Sequence, residues 1–188
     1  MTLKVVWKNE EKYGCEYFII VETDNNTLLA EGTVIYVEEE VPTAHEVEYS
    51  IELDKNWITR KLSILVDKQT SLEIHSDGEG NWFNTEGDLL EFLKGAIDID
   101  ISATPFSNSL PVNRFNWIVN QIEHIEIVYI SVPSLELKKV SQSYRYIGNN
   151  ANQRYFNYCC NDYETIITVD SDGFVIDYPN VFSRKYKL

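Results

Sequence analysis

The chain has 188 residues and a formal net charge of −14, with 44% hydrophobic and 13% aromatic residues. That aromatic content excludes a disordered polymer, and the length suffices for one well-buried domain or two small fused halves. The charge excludes nucleic acid and anionic membrane surfaces as expected partners, because both need clustered Lys and Arg. No apolar run is long enough to span a bilayer, so no transmembrane segment is expected. The opening MTLKVVWKNEEKYG is charged early and lacks a signal-peptide core, which points to a cytoplasmic protein. Cys15, Cys159 and Cys160 have no metal-ligand spacing and read as reduced thiols.

In chain order, VVWKN, EYFIIVET, LLAEGTVIYVEEE, HEVEYSIELD, ITRKLSILVD and SLEIHSD are rich in β-branched and aromatic residues, and many alternate in polarity. These are strand signals. Asp24-Asn25-Asn26 and Asp77-Gly78 are turn signals between them. A short helix is expected over Asp88–Lys94, capped by Asp88 and stopped by Gly95, with Leu89, Leu90, Phe92 and Leu93 on its apolar side. After it, Asp98 and Asp100 alternate with Ile97, Ile99 and Ile101, so in a strand the acids share one face and the isoleucines the other. A turn-rich polar run from Pro105 to Pro111 follows, closed by Arg114. Strands resume in HIEIVYISV, LELKKVSQSYRYIG, RYFNYCC, ETIITVDSD and FVIDYP.

A shift of 95 residues places Tyr49 on Tyr144 and Ser76-Asp77-Gly78 on Ser171-Asp172-Gly173 without a gap. The expected fold is therefore mainly β: one large curled antiparallel sheet or barrel-like fold built from two similar halves, with one short helix. Residues 1–188 form one β domain in this reading, its halves running about 1–95 and 96–188. Two half-sheets facing each other would leave a cavity between their concave sides, suited to an apolar ligand.

The run DIDISATPFSNSLP followed by Arg114 resembles the signature of a bacterial family of putative glycolipid-binding proteins. Further pieces agree in order: Tyr49, Asp54, Trp57 and Arg60 in YSIELDKNWITR, then DGEGNW, Gln142 and Tyr144 in QSYRY, VDSDGFVIDYP, and Arg184 after Phe182. Where that family tends to carry Cys just before the first acid, this chain has Ala96. The resemblance implies a large curled antiparallel sheet, likened to bacterial lipid-carrier proteins, and a glycolipid as ligand class.

Same-face acids two apart in a strand lie ~7 Å from each other, which overlaps the separation of a glycosidase pair. The competing reading is structural, with Arg60, Arg114, Arg145, Arg154 or Arg184 supplying counter-charge. Tyr144, Tyr146, Tyr155 and Tyr158 carry more hydroxyls than a dry core welcomes and call for a partly polar cavity. The isolated His45, His75 and His124, and the lack of a GxSxG elbow, leave no catalytic constellation and no expected cofactor or metal. The function expected is a non-enzymatic carrier of an amphipathic ligand such as a glycolipid. The binding candidates are Trp57, Arg60, Asp98, Asp100, Asn108, Arg114, Tyr144 and Tyr146. The alternatives are a glycoside hydrolase-like enzyme using Asp98 and Asp100, and a structural protein that binds a partner chain through a sheet face or edge.

Overall fold

A computed structural model describes residues 2–25, 27–39 and 42–188. Asn26, the last residue of the expected first turn, and Glu40, the last of the expected third strand, lie outside the described residues. The chain forms strands β1 (Thr2–Asn9), β2 (Tyr13–Glu22), β3 (Leu28–Glu38), β4 (Thr43–Leu53), β5 (Thr59–Val66), β6 (Thr70–Ser76), β7 (Trp82–Phe83) and β8 (Asp98–Ile101). Helix α1 (Ser109–Arg114) comes next, followed by β9 (Ile122–Ser131), β10 (Glu136–Asn150), β11 (Gln153–Cys160), β12 (Tyr163–Asp170), β13 (Val175–Tyr178) and β14 (Phe182–Lys187).

The strands all join one 14-stranded sheet, in the order β7-β6-β5-β4-β3-β2-β1-β14-β13-β12-β11-β10-β9-β8. Every pairing is antiparallel except β8 with β9. The first and last strands pair in the middle, so the two ends of the sheet, β7 and β8, are close in sequence. They do not pair with each other, and the sheet stays open. Residues 84–97 bridge the gap. The Gly95 N–H donates to the Gly80 carbonyl at 2.8 Å, and the Ile97 N–H to the Glu126 carbonyl at 3.1 Å. Trp82 donates its indole N–H to the Ala96 carbonyl at 2.8 Å. This bridge covers two edges that would otherwise expose unpaired backbone.

The strands form where period-two alternation demands them. In β4, Val47, Tyr49, Ile51 and Leu53 are buried while Glu48 and Glu52 are exposed. β3 to β7 make an antiparallel meander that β9 to β13 repeat strand for strand. The registers differ: Gly32 faces Tyr49, but Ile127, its counterpart at the 95-residue shift, faces Val140 instead of Tyr144. The two SDG turns also differ in phase. Asp77 heads its turn, its Oδ1 accepting the N–H of Glu79 and of Asn81. In the later turn Asp170 takes that part, accepting from Asp172 and Phe174. Asp54 heads a third such turn between β4 and β5, accepting from Asn56 and Ile58.

Two corrections concern helices. Over Asp88–Lys94 only Glu91–Leu93 forms, as a 3-10 turn without a side-chain cap. Asp88 instead closes a turn on Asn84, whose Oδ1 accepts its N–H at 2.8 Å. Of the four apolar residues only Leu93 is fully buried, so the segment lacks the burial that stabilises a short helix. The polar run after β8 is the helical one: a 3-10 turn over Pro105–Asn108 continues into α1. Thr104 caps it, its Oγ1 accepting the Phe106 N–H at 3.0 Å, with Pro105 at the first position.

That segment also corrects the expected cavity between the half-sheets. Pro105 to Val112 are all buried. Phe106 and Leu110 pack into a core formed by the inner faces of β1 to β6, Trp82, Leu93, Phe174, Val128 and Ile130. Phe106 lies with its ring centroid 4.4 Å from that of Phe18 and stacks on Phe174 at 6.2 Å. Val112 packs into a second core with Ile125, Ile127, Tyr144, Tyr146, Phe156, Ile167 and Val169. The space between the halves is filled by the chain itself.

Candidate functional site

β8 and the stretch of β9 that pairs with it, residues 127–130, lie between the two cores. Ile99 and Ile101 belong to the first core, as do Val128 and Ile130 of β9, whereas Ile125 and Ile127 belong to the second. A strand sandwiched in this way is ordinarily apolar throughout. Here the face turned to the second core carries Asp98 and Asp100, and each must find partners.

Asp98 is fully buried. Arg114, on the last turn of α1, meets it with two bonds, Nε to Oδ1 at 3.2 Å and Nη2 to Oδ2 at 2.6 Å. The same guanidinium lies over the Phe115 ring, 4.2 Å from its centroid. Burial raises the Asp98 carboxyl above the ordinary range, against the opposing pull of Arg114. Both carboxylate oxygens are engaged by one guanidinium, so Asp98 is held as a buried ion pair and is not free to act as a glycosidase-like acid beside Asp100.

Asp100 has no cation. Gln142 of β10 donates Nε2 to its Oδ2 at 2.6 Å. Burial pushes its carboxyl up to about 6, with hydrogen bonds from Gln142 and Ser107 opposing the shift. It lines a pocket of about 290 Å³. Tyr129, Tyr158, Tyr163 and Tyr178 supply aromatic walls, Cys160 and Asn108 add a thiol and an amide, and the rest of the lining includes Glu11, Thr104 and Phe182. The rings of Tyr158, Tyr163 and Tyr178 touch one another, with centroids 5.9–6.4 Å apart. Burial pushes the phenols of Tyr158 and Tyr178 and the Cys160 thiol above their ordinary values, so all three stay protonated at neutral pH. Cys159, its neighbour, faces away and lines a separate recess with His124 and Glu126.

Five of the eight sequence candidates therefore gather around β8. Asp100 and Asn108 line the pocket. Asp98 and Arg114 form the ion pair beside it. Tyr144 is buried, its hydroxyl accepting the Asn108 Nδ2–H at 2.8 Å. Tyr146 lies farther along β10 inside the second core, against Phe156. Trp57, in the turn between β4 and β5, and Arg60, at the start of β5, do not line the pocket. Trp57 holds a left-handed backbone at φ 64°, where the Asp170 turn has Gly173, and its ring packs on Phe174. Arg60 pairs with Asp54 at 2.7 Å and donates to the Asp77 carbonyl.

Sequence reasoning missed Tyr163 and Tyr178, which reach the pocket only through the β11-β12-β13 pairings. It also missed Glu16. This side chain is buried on β2, accepts a hydrogen bond from the Tyr49 hydroxyl, and has both oxygens 2.8 Å from Thr104 Oγ1. Burial pushes its carboxyl up to about 8. Gly32 makes room for this contact, since a Cβ there would overlap the Tyr49 ring. An acidic residue inside an otherwise alternating strand, EYFIIV, was the available signal.

A larger recess, about 690 Å³, lies on the outward face of β2 to β6. Thr33, Ser50, Ser63 and Ser71 floor it, and Tyr17, Glu31, Glu48 and Glu73 stand around them. It is larger than the Asp100 pocket and takes in Tyr49 of the motif residues but none of the interior acids, and Glu73 is already paired with Lys61 at 3.0 Å. The chemistry is concentrated at Asp100. Among the described residues no His, Cys, Asp and Glu group has metal-site geometry, and no helix is long and apolar enough to cross a membrane.

The fold and these motifs have relatives. The crystal structure of a DUF1089 family protein from Pseudomonas aeruginosa is similar, with a TM-score of 0.76 and 26% sequence identity over 90% of this chain and 92% of that one. No curated protein matches significantly. A family model described as "Putative glycolipid-binding" matches residues 4–184, which reach into every strand and take in α1 and the whole Asp100 pocket. The chain thus belongs to that putative glycolipid-binding family.

Proposed function

We propose that this chain is a non-enzymatic binding protein for an amphipathic small molecule, whose polar head enters the pocket over Asp100. The glycolipid class comes from the family description. The observation that carries the reading is the pocket itself: a half-buried, cation-free carboxylate beneath four tyrosines drawn from β9, β11, β12 and β13. Phenols and a carboxylate exchange hydrogen bonds with a polar head, and the ring faces take its apolar parts. At about 290 Å³ the pocket is at the small end of ligand sites, roughly 300–1,000 Å³. It suits a head group with a few methylenes. Phe106 and Leu110 occupy the interior that a long acyl chain would need. Engagement of Asp98 by Arg114 weighs against the paired-acid enzyme.

Displacement of an environment-sensitive acyl probe by single-chain amphiphiles tests this. Affinity is expected to depend strongly on the head group. It should rise with tail length only over the first few carbons, short of the ~0.8 kcal/mol per CH₂ of full burial. Absence of displacement by every amphiphile, with no lipid co-purifying in native mass spectrometry, would overturn the reading.

A further inference from the structure

The charge inventory of the Asp100 pocket is one-sided. Its lining holds two carboxylates, Asp100 and Glu11, and no Lys, Arg or His among the described residues. The cation nearest in sequence on the same motif, Arg114, is bound to Asp98. Lys138, opposite Tyr129 on β10, is well exposed and pairs with Glu136 at 3.0 Å. Asp100 itself has only neutral donors, Gln142 and Ser107. A half-buried carboxylate in that state gains from any cation that reaches it. The walls offer the complement. The rings of Tyr158, Tyr163 and Tyr178 pack on one another at interplanar angles of 43–69°, and all three line the pocket. Aromatic faces attract a cation, and such cages recognise ammonium groups.

We propose that the pocket over Asp100 selects a head group bearing an ammonium centre, with Asp100 as counter-charge and Tyr158, Tyr163 and Tyr178 as aromatic wall. This rests on the pocket's being the amphiphile site, and it narrows the ligand from any polar head to a cationic one. An anionic head meets two carboxylates there. A neutral sugar head leaves the Asp100 charge uncompensated.

Three amphiphiles of one tail length separate these cases by calorimetry below their micelle concentrations: decyltrimethylammonium, decyl glucoside and decyl sulfate. At pH 7.5 the ammonium is expected to bind about tenfold more tightly than the glucoside, and the sulfate more weakly than either. Asp100→Asn should abolish that preference, lowering ammonium affinity far more than glucoside affinity. Ammonium affinity should fall as pH drops through about 6 in the native protein and stay flat in the variant, because Asp100 is protonated below that value. Tyr163→Leu, at the half-exposed mouth, should also lower the ammonium preference and keeps the test available if Asp100→Asn fails to fold. Glucoside binding equal to or tighter than ammonium would overturn this inference and leave the proposed function standing. Ammonium binding indifferent to both substitutions would reflect the overall charge of −14 and would overturn it too. Binding of none of the three would overturn both readings.

Discussion

Glu16 and Asp100 are interior carboxyls without a cation, one on β2 and one on β8, yet burial moves them to different ends of neutrality. Glu16 is sealed: Tyr49 and Thr104 close over it, and its carboxyl rises to about 8. At neutral pH it is a neutral hydrogen-bonding group. It ties β2 to the residue that caps the 105–114 segment, and so holds that segment in the space between the halves. Asp100 opens onto a pocket and rises only to about 6, so it is mostly ionised at pH 7. Two residues away, Asp98 is buried as deeply as Glu16 but has Arg114. Depth and partner together decide whether an interior acid is a structural joint, an ion pair or a site.

The sharpest way to break this comparison is to make a third cation-free acid. Arg114→Ala leaves Asp98 buried and unpaired, and should cost about 3–5 kcal/mol in urea unfolding at pH 7. A loss below about 1 kcal/mol would show that Asp98 reaches water or simply takes up a proton.

A smaller effect should appear at alkaline pH. The folded-state value of Glu16 lies above its unfolded one, so the stability tied to its protonated form is complete below about 4.5 and is lost as pH rises through about 8. Glu16→Gln keeps the bonds to Tyr49 and Thr104 and removes that loss. Between pH 6 and pH 9.5 the native protein should lose about 2–4 kcal/mol relative to this variant. Parallel pH profiles for the two would mean that Glu16 is not sealed.

The smallest effect belongs to the exposed pair. Arg60 and Asp54 stand at 41% and 19% side-chain exposure. Arg60→Ala should therefore change stability by roughly 0–1 kcal/mol and weaken further in importance with added salt. It should leave amphiphile binding unchanged. A large loss of binding would return Arg60 to the site.

Much of this molecule is written in local periodicity. Alternation in segments such as HEVEYSIELD sets strands and faces, because successive side chains leave a strand on opposite sides. The same rule places Asp98 and Asp100 together and apart from Ile99 and Ile101. Pro105 after Thr104 is a readable helix start, overlooked because the run around it is polar and rich in turn formers. The sequence by itself determined the strand-rich sheet, the shared face of the two acids and the need for counter-charge. Only the tertiary structure decided that Arg114 serves Asp98 and not Asp100, that the helical segment fills the interior, and that Tyr163 and Tyr178 close over the remaining acid. The physical reason is range. Strand periodicity is fixed by neighbours in sequence, whereas these partnerships depend on which strands lie side by side, in what register, and on how far the sheet curls before residues 84–97 bridge its ends.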